Sequence, residues 1–147
     1  MIIPDFSGVE LKLKRNEGKT SVWDIIRKKW IILTPEEHVR QYMIHYLTNT
    51  LKYPLAMLAV EKTIIVGGMR RRFDIVVYNR NHTPWMLVEC KAPNVAVTPA
   101  VLHQLLGYQS KVQSSFWLLT NGIDILCADA RNTDNIIWLD LLPLYEF

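Results

Sequence analysis

The alternation of apolar and polar segments predicts an antiparallel hairpin near the middle of the chain. Apolar runs at residues 75–78 and 85–88 flank the polar segment 79–84, whose Asn, Thr and Pro residues favour turns. If the hairpin closes symmetrically about the middle of that segment, Tyr78 lies opposite Trp85. The two strands are therefore expected to pair along their apolar runs.

The outer ends of this hairpin carry three chargeable residues. The same register places Asp74 opposite Glu89, and directly opposed side chains have Cβ atoms about 5 Å apart. Because side chains alternate between the faces of a strand, Lys91 shares the face of Glu89, while Cys90 points to the other face. Asp74, Glu89 and Lys91 are thus predicted to converge on one small patch.

Two carboxylates this close repel each other, and partial burial makes their ionised forms costly without a compensating charge. A divalent cation supplies that charge, and Mg²⁺ suits hard oxygen ligands, of which it typically takes one or two from protein carboxylates. Lys91 then stands where it can act on water or on the charge of a reacting phosphate. The alternative is a solvated pair at the frayed ends of an exposed hairpin. The apolar residues around the pair, at 86–88 and 92–93, favour a covered strand instead.

A helix is predicted before the hairpin. Thr34 is a suitable N-cap, Pro35 follows at the first helical position, and Glu37 stands where it can close a capping box. The helix is expected to end near residue 48 or 51. Its apolar stripe consists of Val39, Met43, Tyr46 and Leu47. A helical wheel puts Glu36 on the side of that stripe and turns Glu37 away from it. Glu36 is therefore either a carboxylate that favours the helix dipole or an additional ligand at the site.

The first third of the chain has the pattern of short strands. Residues 9–14 alternate between apolar and charged side chains, as in a half-exposed strand, and residues 16–19 are turn formers. Residues 22–33 are expected to return as extended or irregular structure. We interpret residues 1–33 as an edge layer of strands that covers the core.

The segments after the hairpin complete an α/β pattern. Thr98 and Pro99 start a second helix that is expected to run to about Val112. Further strands are predicted at 115–120, 123–128 and 136–139. With a strand that ends at Gly67, the order α-β-β-β-α-β-β predicts a mixed central sheet flanked by helices, with a right-handed crossover before the later strands. The chain is expected to be one domain, 1–147, with residues 34–147 as its core.

Composition excludes two classes of protein. Hydrophobic residues make up 50% of the chain and charged residues 21%, so a disordered chain is excluded. No apolar run approaches the roughly 20 residues that span a bilayer, and residues 1–5 do not have the features of a signal peptide, so a cytoplasmic protein is expected. Cys90 and Cys127 lie in apolar segments without CxxC spacing, which favours buried thiols over a zinc site or a disulfide.

Positive charge is unevenly distributed. The net charge of +3 permits binding to a polyanion without requiring it. Seven basic residues lie near the N-terminus: Lys12, Lys14, Arg15, Lys19, Arg27, Lys28 and Lys29. They are equally compatible with a solvated surface and with a binding surface. Arg70, Arg71 and Arg72 lead directly into Asp74, so positive charge also gathers near the candidate site.

The order and spacing of these motifs resemble the PD-(D/E)XK nuclease superfamily, and within it the N-terminal nuclease domain of type I restriction enzyme R subunits. The resemblance rests first on Asp74, the hairpin, and Glu89 with Lys91. It extends to Thr34-Pro35-Glu36-Glu37, Val39-Arg40-Gln41, Arg72 to Val76, Val88 to Pro93, Gln104 with Tyr108, and Leu119 to Gly122. One departure is Phe73, which stands before the aspartate where the superfamily name has a proline.

This resemblance implies a restriction-endonuclease-like fold and Mg²⁺-dependent hydrolysis of DNA, with Mn²⁺ as a substitute cation. It implies that Asp74 and Glu89 hold the metal, and that Lys91 positions or deprotonates the attacking water or stabilises the charge of the transition state. Many superfamily members carry a glutamate on the helix before the hairpin, a role that falls here to Glu36, or to Glu37 if the wheel is shifted by one residue.

The resemblance also implies roles for Gln104 and Tyr108, which would orient groups of the site or contact DNA. The residues themselves allow a plainer account, in which Tyr108 is a core aromatic and Gln104 a polar neighbour one helical turn away. Arg70, Arg71 and Arg72 are expected to make sequence-independent contacts with DNA phosphates.

A non-catalytic nucleic-acid-binding or interaction domain that keeps the nuclease fold is the competing functional class. The complete set of Asp, Glu and Lys argues against it. R subunits join this domain to ATP-driven translocase domains, and the printed chain contains no Walker A sequence. We therefore expect either a free-standing relative or a component that works on DNA with separate restriction-modification or translocase subunits. The sequence leaves the oligomeric state open.

Overall fold

The N-terminal segment forms a small antiparallel sheet. The computed structural model describes residues 1–109 and 111–147. The sheet contains, in spatial order, β1 (Leu13–Asn16), β2 (Lys19–Asp24) and β3 (Lys29–Ile32). The predicted turn at residues 16–19 joins β1 to β2, because Asn16 pairs with Lys19 across it. The segment is thus a strand layer, as the sequence predicted, although its first strand begins later than expected.

Helix α1 (Pro35–His45) begins at the predicted cap. Thr34 Oγ1 accepts a hydrogen bond of 3.1 Å from the backbone N–H of Glu37. The helix continues as a π-helical turn, Tyr46–Thr50, and a short 3₁₀ turn follows at Leu55–Met57. The predicted end near residue 48 or 51 agrees with the combined helical segment.

The second sheet has six strands in mixed orientation. Its order is β4 (Leu58–Val66), β5 (Met69–Tyr78), β6 (Pro84–Cys90), β7 (Phe116–Thr120), β8 (Ile125–Asp129) and β9 (Ile137–Trp138). The pairing of β6 with β7 is parallel, and the other pairings are antiparallel. This arrangement confirms the predicted α/β class with a mixed central sheet.

Helix α2 (Pro99–Leu106) makes the crossover between β6 and β7. Thr98 Oγ1 accepts a 3.3 Å hydrogen bond from the N–H of Val101, as the predicted N-cap requires. The predicted length was wrong, because the helix ends at Leu106 instead of near residue 112. Gly107, which weakens helix propagation, occupies the C-cap. Ser110, inside the predicted helix, lies outside the described residues.

The six-stranded sheet is covered on both faces. On one face α1 contributes Val39, Met43 and Ile44 to a buried cluster with β5 and β6, and on the other face α2 contributes Leu102 and Leu105. Every residue of β6 after its first is buried, which explains its nearly continuous apolar sequence. Both cysteines are buried free thiols, as predicted. In the part of the chain that the structure describes, no helix is long and apolar enough to cross a bilayer.

The central hairpin follows the predicted register from Ile75 to Val77 but differs from it at both ends. The paired residues begin at Ile75 and Val88, so Asp74 is not paired with Glu89 as predicted, and its carboxylate instead accepts a hydrogen bond from the backbone N–H of Cys90. Ile75 pairs with Val88 in the expected register, but Tyr78 pairs with Pro84 instead of Trp85. The side chain of Asn79 explains the difference, because its Oδ1 accepts hydrogen bonds from the backbone N–H groups at positions 81 and 83 and tightens the turn asymmetrically.

Candidate active site

Strand β5 is irregular at Asp74. Phe73 packs with Val76 in the core cluster on the α2 side, whereas Ile75 and Val77 pack in the cluster on the α1 side. In a regular strand Phe73 and Ile75 would share a face, so the alternation breaks between them. The break redirects the aspartate from the direction that a regular strand would give it. Such irregularities recur next to active sites.

Glu61 on β4 marks the same irregularity. It lies between the pairs Val60↔Ile75 and Lys62↔Phe73, and its φ of +52° is in the left-handed region. A non-glycine residue in this region costs about 1–2 kcal/mol, and such strain concentrates at functional sites. The backbone on both strands therefore departs from regular geometry at the level of Asp74.

Asp74 is held by two donors from different elements. Its Oδ1 accepts a 2.5 Å hydrogen bond from Arg40 Nη2 on α1, and its Oδ2 accepts a 2.7 Å bond from the backbone N–H of Cys90 on β6. The carboxylate therefore ties β5 to the Glu-x-Lys segment of β6 and to α1. Each oxygen retains a lone pair for a further ligand.

Glu89 is the most strongly perturbed carboxyl group of the site. It is 8% exposed, and burial, followed by the charge of Asp74, raises its pKa to about 7. Arg71 and Lys91 lower the pKa but do not offset the increase, and Glu36 raises it further. Arg71 Nη2 approaches Glu89 Oε2 to only 3.6 Å, so the ion pair is long. The charge of Glu89 is thus not fully compensated by its neighbours, whereas Asp74 is paired with Arg40.

Glu89→Gln is expected to remove a pH dependence of stability in the cation-free protein. The folded-state pKa of about 7 exceeds the ordinary value of 4.5, so the folded state binds more protons than the unfolded state between these values. Stability of the wild type should therefore fall as the pH rises through this window, by about 3 kcal/mol at most.

Chemical denaturation in the presence of a chelator, at about pH 5 and about pH 8, measures this difference. Glu146→Gln, at an exposed position far along the chain, is the control and should keep the wild-type pH dependence. An equal loss of stability in wild type and Glu89→Gln would contradict the burial argument.

A cationic cavity adjoins Glu89. It has a volume of about 280 Å³ and is lined by Arg71, Lys91, Gln104 and Tyr108, with two apolar residues of α2. The Arg71 guanidinium lies 5.2 Å from the centre of the Tyr108 ring, and its buried Nε has no hydrogen-bond partner among the described residues. The site therefore has an acidic part at Asp74 and Glu89 and a positively charged cavity beside it.

The structure brings Gln104 and Tyr108 to the same cavity, but not as the helical pair that the sequence predicted. Gln104 is on α2, whereas Tyr108 follows the helix in a turn because the helix ends at Leu106. Tyr108 is half-buried against Arg71. Gln104 and Tyr108 thus line the same cavity, although they do not lie one turn apart on the same helix.

The three arginines before Asp74 separate into different environments. Arg71 is half-buried and lines the cavity. Arg70 is exposed, and Arg72, whose side chain is 64% exposed, pairs with Glu61 at 3.4 Å. Alternation along β5 produces this division, because neighbouring side chains point to opposite faces.

The prediction that Glu36 faces inward and Glu37 outward was wrong. Glu37 is 4% exposed, whereas the side chain of Glu36 is 50% exposed. The wheel considered only apolar residues, but the buried face of α1 also contains polar ones: Arg40, Gln41 and His45. Glu37 is bound by Arg40 at 2.8 Å and by Arg27 at 2.6 Å, so it does not close the predicted capping box. Glu36 remains the less constrained carboxylate, and its charge acts on Glu89.

Arg40 is a site residue whose position the sequence reasoning did not use. It is 6% exposed, and besides Asp74 and Glu37 it approaches Glu36 and Glu61, each at 3.7 Å. Arg40 follows Glu37 by three residues and Glu36 by four, and side chains at these spacings are neighbours on a helix. The sequence therefore contained a signal for these two contacts. Asp74 and Glu61 are distant in sequence, so their contacts with Arg40 had no local signal.

The donor set of the site fits a divalent cation. The described residues contain no group of three or more His, Cys, Asp and Glu side chains that is arranged to hold a metal ion. Mg²⁺ does not require one, because it commonly takes one or two carboxylates and completes its octahedron with water and phosphate oxygens. Burial, followed by the charge of Asp74, raises the pKa of Glu89, and a cation bound at the two carboxylates would favour the ionised form.

Comparison with known families decides the placement of the chain. Residues 35–143 match the family of type I restriction enzyme R protein N-termini. The chain belongs to this family. The type I R protein N-terminal fold is thus built on α1, the six-stranded sheet and α2, and it is consistent with the PD-(D/E)XK superfamily. The match supports a restriction-enzyme nuclease context for the chain. The matched residues begin after the N-terminal sheet, β1 to β3. A search of curated proteins found no match.

Proposed function

We propose that the protein is a Mg²⁺-dependent endonuclease that hydrolyses phosphodiester bonds of DNA. The observation that carries the proposal is the buried Glu89, whose charge is not fully compensated, next to the part-buried Asp74 and a cavity lined by Lys91 and Arg71. Carboxylates next to a cationic cavity suit a reaction that needs a cation and a bound phosphate at the same place. Membership of the restriction-enzyme family supports DNA as the substrate.

Asp74 and Glu89 are the residues that would hold the cation, with Mn²⁺ as a substitute for Mg²⁺. When bound, the cation polarises the scissile phosphate and favours ionisation of the attacking water. Glu36 is proposed to supply a further oxygen, directly or through water, because its half-exposed carboxylate influences Glu89. Arg40 keeps Asp74 oriented between β5 and β6.

Lys91 supplies the charge that the chain itself brings to the reaction. Its side chain lines the cavity next to Glu89, so its ammonium group faces the region that a phosphate would enter. It is proposed to position or deprotonate the attacking water, or to stabilise the negative charge that develops on the phosphate. Each of these roles requires the same location.

Arg71 is proposed to contact the reacting phosphate. It is the arginine of the triplet that lines the cavity, and its ion pair with Glu89 is long, at 3.6 Å, which leaves its terminal N–H groups as donors for an anion. Gln104 and Tyr108 line the same cavity and would orient the phosphate or Lys91. Arg70 and Arg72 are exposed and would contact the DNA backbone without reading its sequence.

The proposed partners are DNA and separate restriction-modification or translocase subunits. The family supports the second class, because it consists of N-terminal parts of R proteins. The domain would then cut DNA that another component recognises or delivers.

Incubation of supercoiled plasmid with the purified protein and Mg²⁺ or Mn²⁺ tests the proposed activity. The wild type is expected to nick or linearise the plasmid, with no cleavage in chelator. Asp74→Ala should lose cleavage, and calorimetry should show that it loses Mg²⁺ binding, because one of the two cation-holding carboxylates is missing. Asp140→Ala, at an exposed aspartate, is the matched control.

Equal cleavage by wild type and Asp74→Ala would identify a contaminating nuclease and reject the assignment. Mg²⁺ binding that persists unchanged in Asp74→Ala would reject the proposed metal site even if cleavage were observed.

A further inference from the structure

The outer face of the N-terminal sheet combines lysines with tryptophans. The register of β1 with β2 and of β2 with β3 places Lys14 and Lys19 on the same face as the cross-strand pair Trp23 and Trp30. Lys12, just before β1, joins them, because its carbonyl accepts a 2.9 Å hydrogen bond from the Trp23 N–H. We call these five residues the lysine–tryptophan face.

Two of the three lysines of this face, Lys12 and Lys14, contact the tryptophan rings. The two indole rings pack edge to face with centroids 5.5 Å apart. The Lys14 ammonium lies 4.5 Å from the Trp30 ring centre, and that of Lys12 lies 5.8 Å from each ring centre. Cation–π contacts restrict the lysine side chains, which lowers the entropy cost of binding a ligand. The ammonium groups thus form an ordered positive surface.

Among the described residues that pair in this sheet, none on this face carries a carboxylate. The remaining register positions are Asn16, Ser21 and Ile32, and the three lysines are exposed. Surface lysines that exist for solubility are usually interspersed with acidic residues. Here the positive charges are unopposed within the face, which favours a polyanionic ligand.

The opposite face of the same sheet is turned inward. Val22 and Asp24 are both fully buried there, and Arg27, which follows β2, binds Asp24 and Glu37. Arg27 is therefore a structural residue, unlike the lysines of the outer face. The sequence left open whether the N-terminal basic residues are solvated or form a binding surface. The structure places Lys12, Lys14 and Lys19 together on the outer face, whereas Arg15 and Lys29 have the register of the other face and are exposed.

The small sheet also adjoins the candidate active site. A groove of about 480 Å³ is lined by Lys29 and Ile31 of β3 together with Glu36, Arg40 and Glu61. Arg40 binds Asp74, and Glu36 and Glu61 lie within ion-pair distance of Arg40. This end of the groove is therefore next to Asp74. Lys29 and Ile31 pair with Asp24 and Val22, so they belong to the inward face of the sheet. The groove therefore places the sheet next to the site, with the lysine–tryptophan face on the other side of the sheet.

We propose that the lysine–tryptophan face binds the phosphate backbone of duplex DNA. It would add sequence-independent contacts outside the part of the chain that matches the R protein family, residues 35–143. The ammonium groups bind phosphates, and the indole rings hold those groups in place. The inference rests on the proposed nuclease function only for the choice of DNA as the polyanion.

Salt-dependent binding of a fluorescent DNA duplex, measured in chelator so that no cleavage occurs, tests this proposal. The double variant Lys12→Gln/Lys14→Gln is expected to bind more weakly, and its plot of log affinity against log salt concentration should lose about 2 units of slope. Lys52→Gln/Lys111→Gln removes the same charge from exposed positions elsewhere and should keep the wild-type slope. Lys12→Arg/Lys14→Arg should bind like the wild type.

The proposal would be overturned if Lys12→Gln/Lys14→Gln kept the wild-type salt dependence, or if the control variant lost as much of it. An unchanged salt dependence in Lys12→Gln/Lys14→Gln would make an acidic protein surface the better partner. Cleavage of plasmid by a wild type whose binding does not depend on these lysines would reject the face and keep the nuclease. If the salt dependence requires these lysines but the protein does not cleave plasmid, DNA binding by the lysine–tryptophan face would be supported and the proposed nuclease activity rejected.

Discussion

Lys91→Met is expected to reduce plasmid cleavage by about 10²–10³-fold, the usual cost of removing one charge-stabilising donor. Methionine keeps the length of the side chain but removes its charge from the cavity that Lys91 shares with Arg71, Gln104 and Tyr108. The carboxylates of Asp74 and Glu89 remain, so Mg²⁺ should still bind. The loss should therefore appear in the cleavage rate and not in the occupancy of the metal site.

The measurement pairs cleavage rates at saturating Mg²⁺ with calorimetric titration of the cation. It is best made at about pH 8, because Lys91 helps to lower the pKa of Glu89, and the variant therefore ionises this group less readily near neutral pH. Lys111→Met, at an exposed lysine, is the control. A Lys91→Met protein that cuts at the wild-type rate would remove Lys91 from the proposed chemistry.

Arg40→Ala is expected to destabilise the fold by about 3–5 kcal/mol, which is typical when one partner of a buried ion pair is removed. The guanidinium is 6% exposed and contacts both Glu37 and Asp74. Its removal leaves Asp74 without its nearest donor, and Glu37 with Arg27 as its remaining ion-pair partner, in a poorly solvated place. Urea denaturation of wild type and variant measures the difference in the free energy of unfolding.

Two further variants make this prediction specific. Arg80→Ala, at an exposed arginine of the hairpin turn, should change stability by less than about 0.5 kcal/mol. Asp74→Asn introduced into Arg40→Ala should recover part of the loss, because the unpaired group is then neutral. If Arg40→Ala is no less stable than Arg80→Ala, the contacts of Arg40 do not hold the fold.

The buried charge network links stability to the site. Arg40 stabilises α1 through Glu37 and, with the same guanidinium, orients Asp74. Arg27 extends the network by bridging Glu37 to Asp24 of the N-terminal sheet. A substitution in this network is therefore expected to affect folding and the geometry of the carboxylate together, which is why Lys91, outside it, is the cleaner position for testing chemistry.

Local chemistry determined most of the elements that could be predicted. Thr34 and Thr98 cap the two helices as expected, and the strands β5 and β6 pair Ile75 with Val88 in the expected register. These features depend on residues that are close in sequence, through cap hydrogen bonds and the two-residue period of a strand. The failures were local as well: Gly107 ends α2 early, and Asn79 tightens the hairpin turn.

The sequence by itself determined the order of helices and strands, the family, and the selection of Asp74, Glu89 and Lys91 as the candidate set. Only the tertiary structure decided how far each charge is removed from solvent: Glu37 is buried and Glu36 is not, and Arg71 is half-buried whereas its two neighbours are exposed. The physical reason is that a charged side chain becomes buried only where distant residues supply partners. Arg40 meets Asp74 across 34 positions of the sequence, and no periodicity along the chain records such a contact.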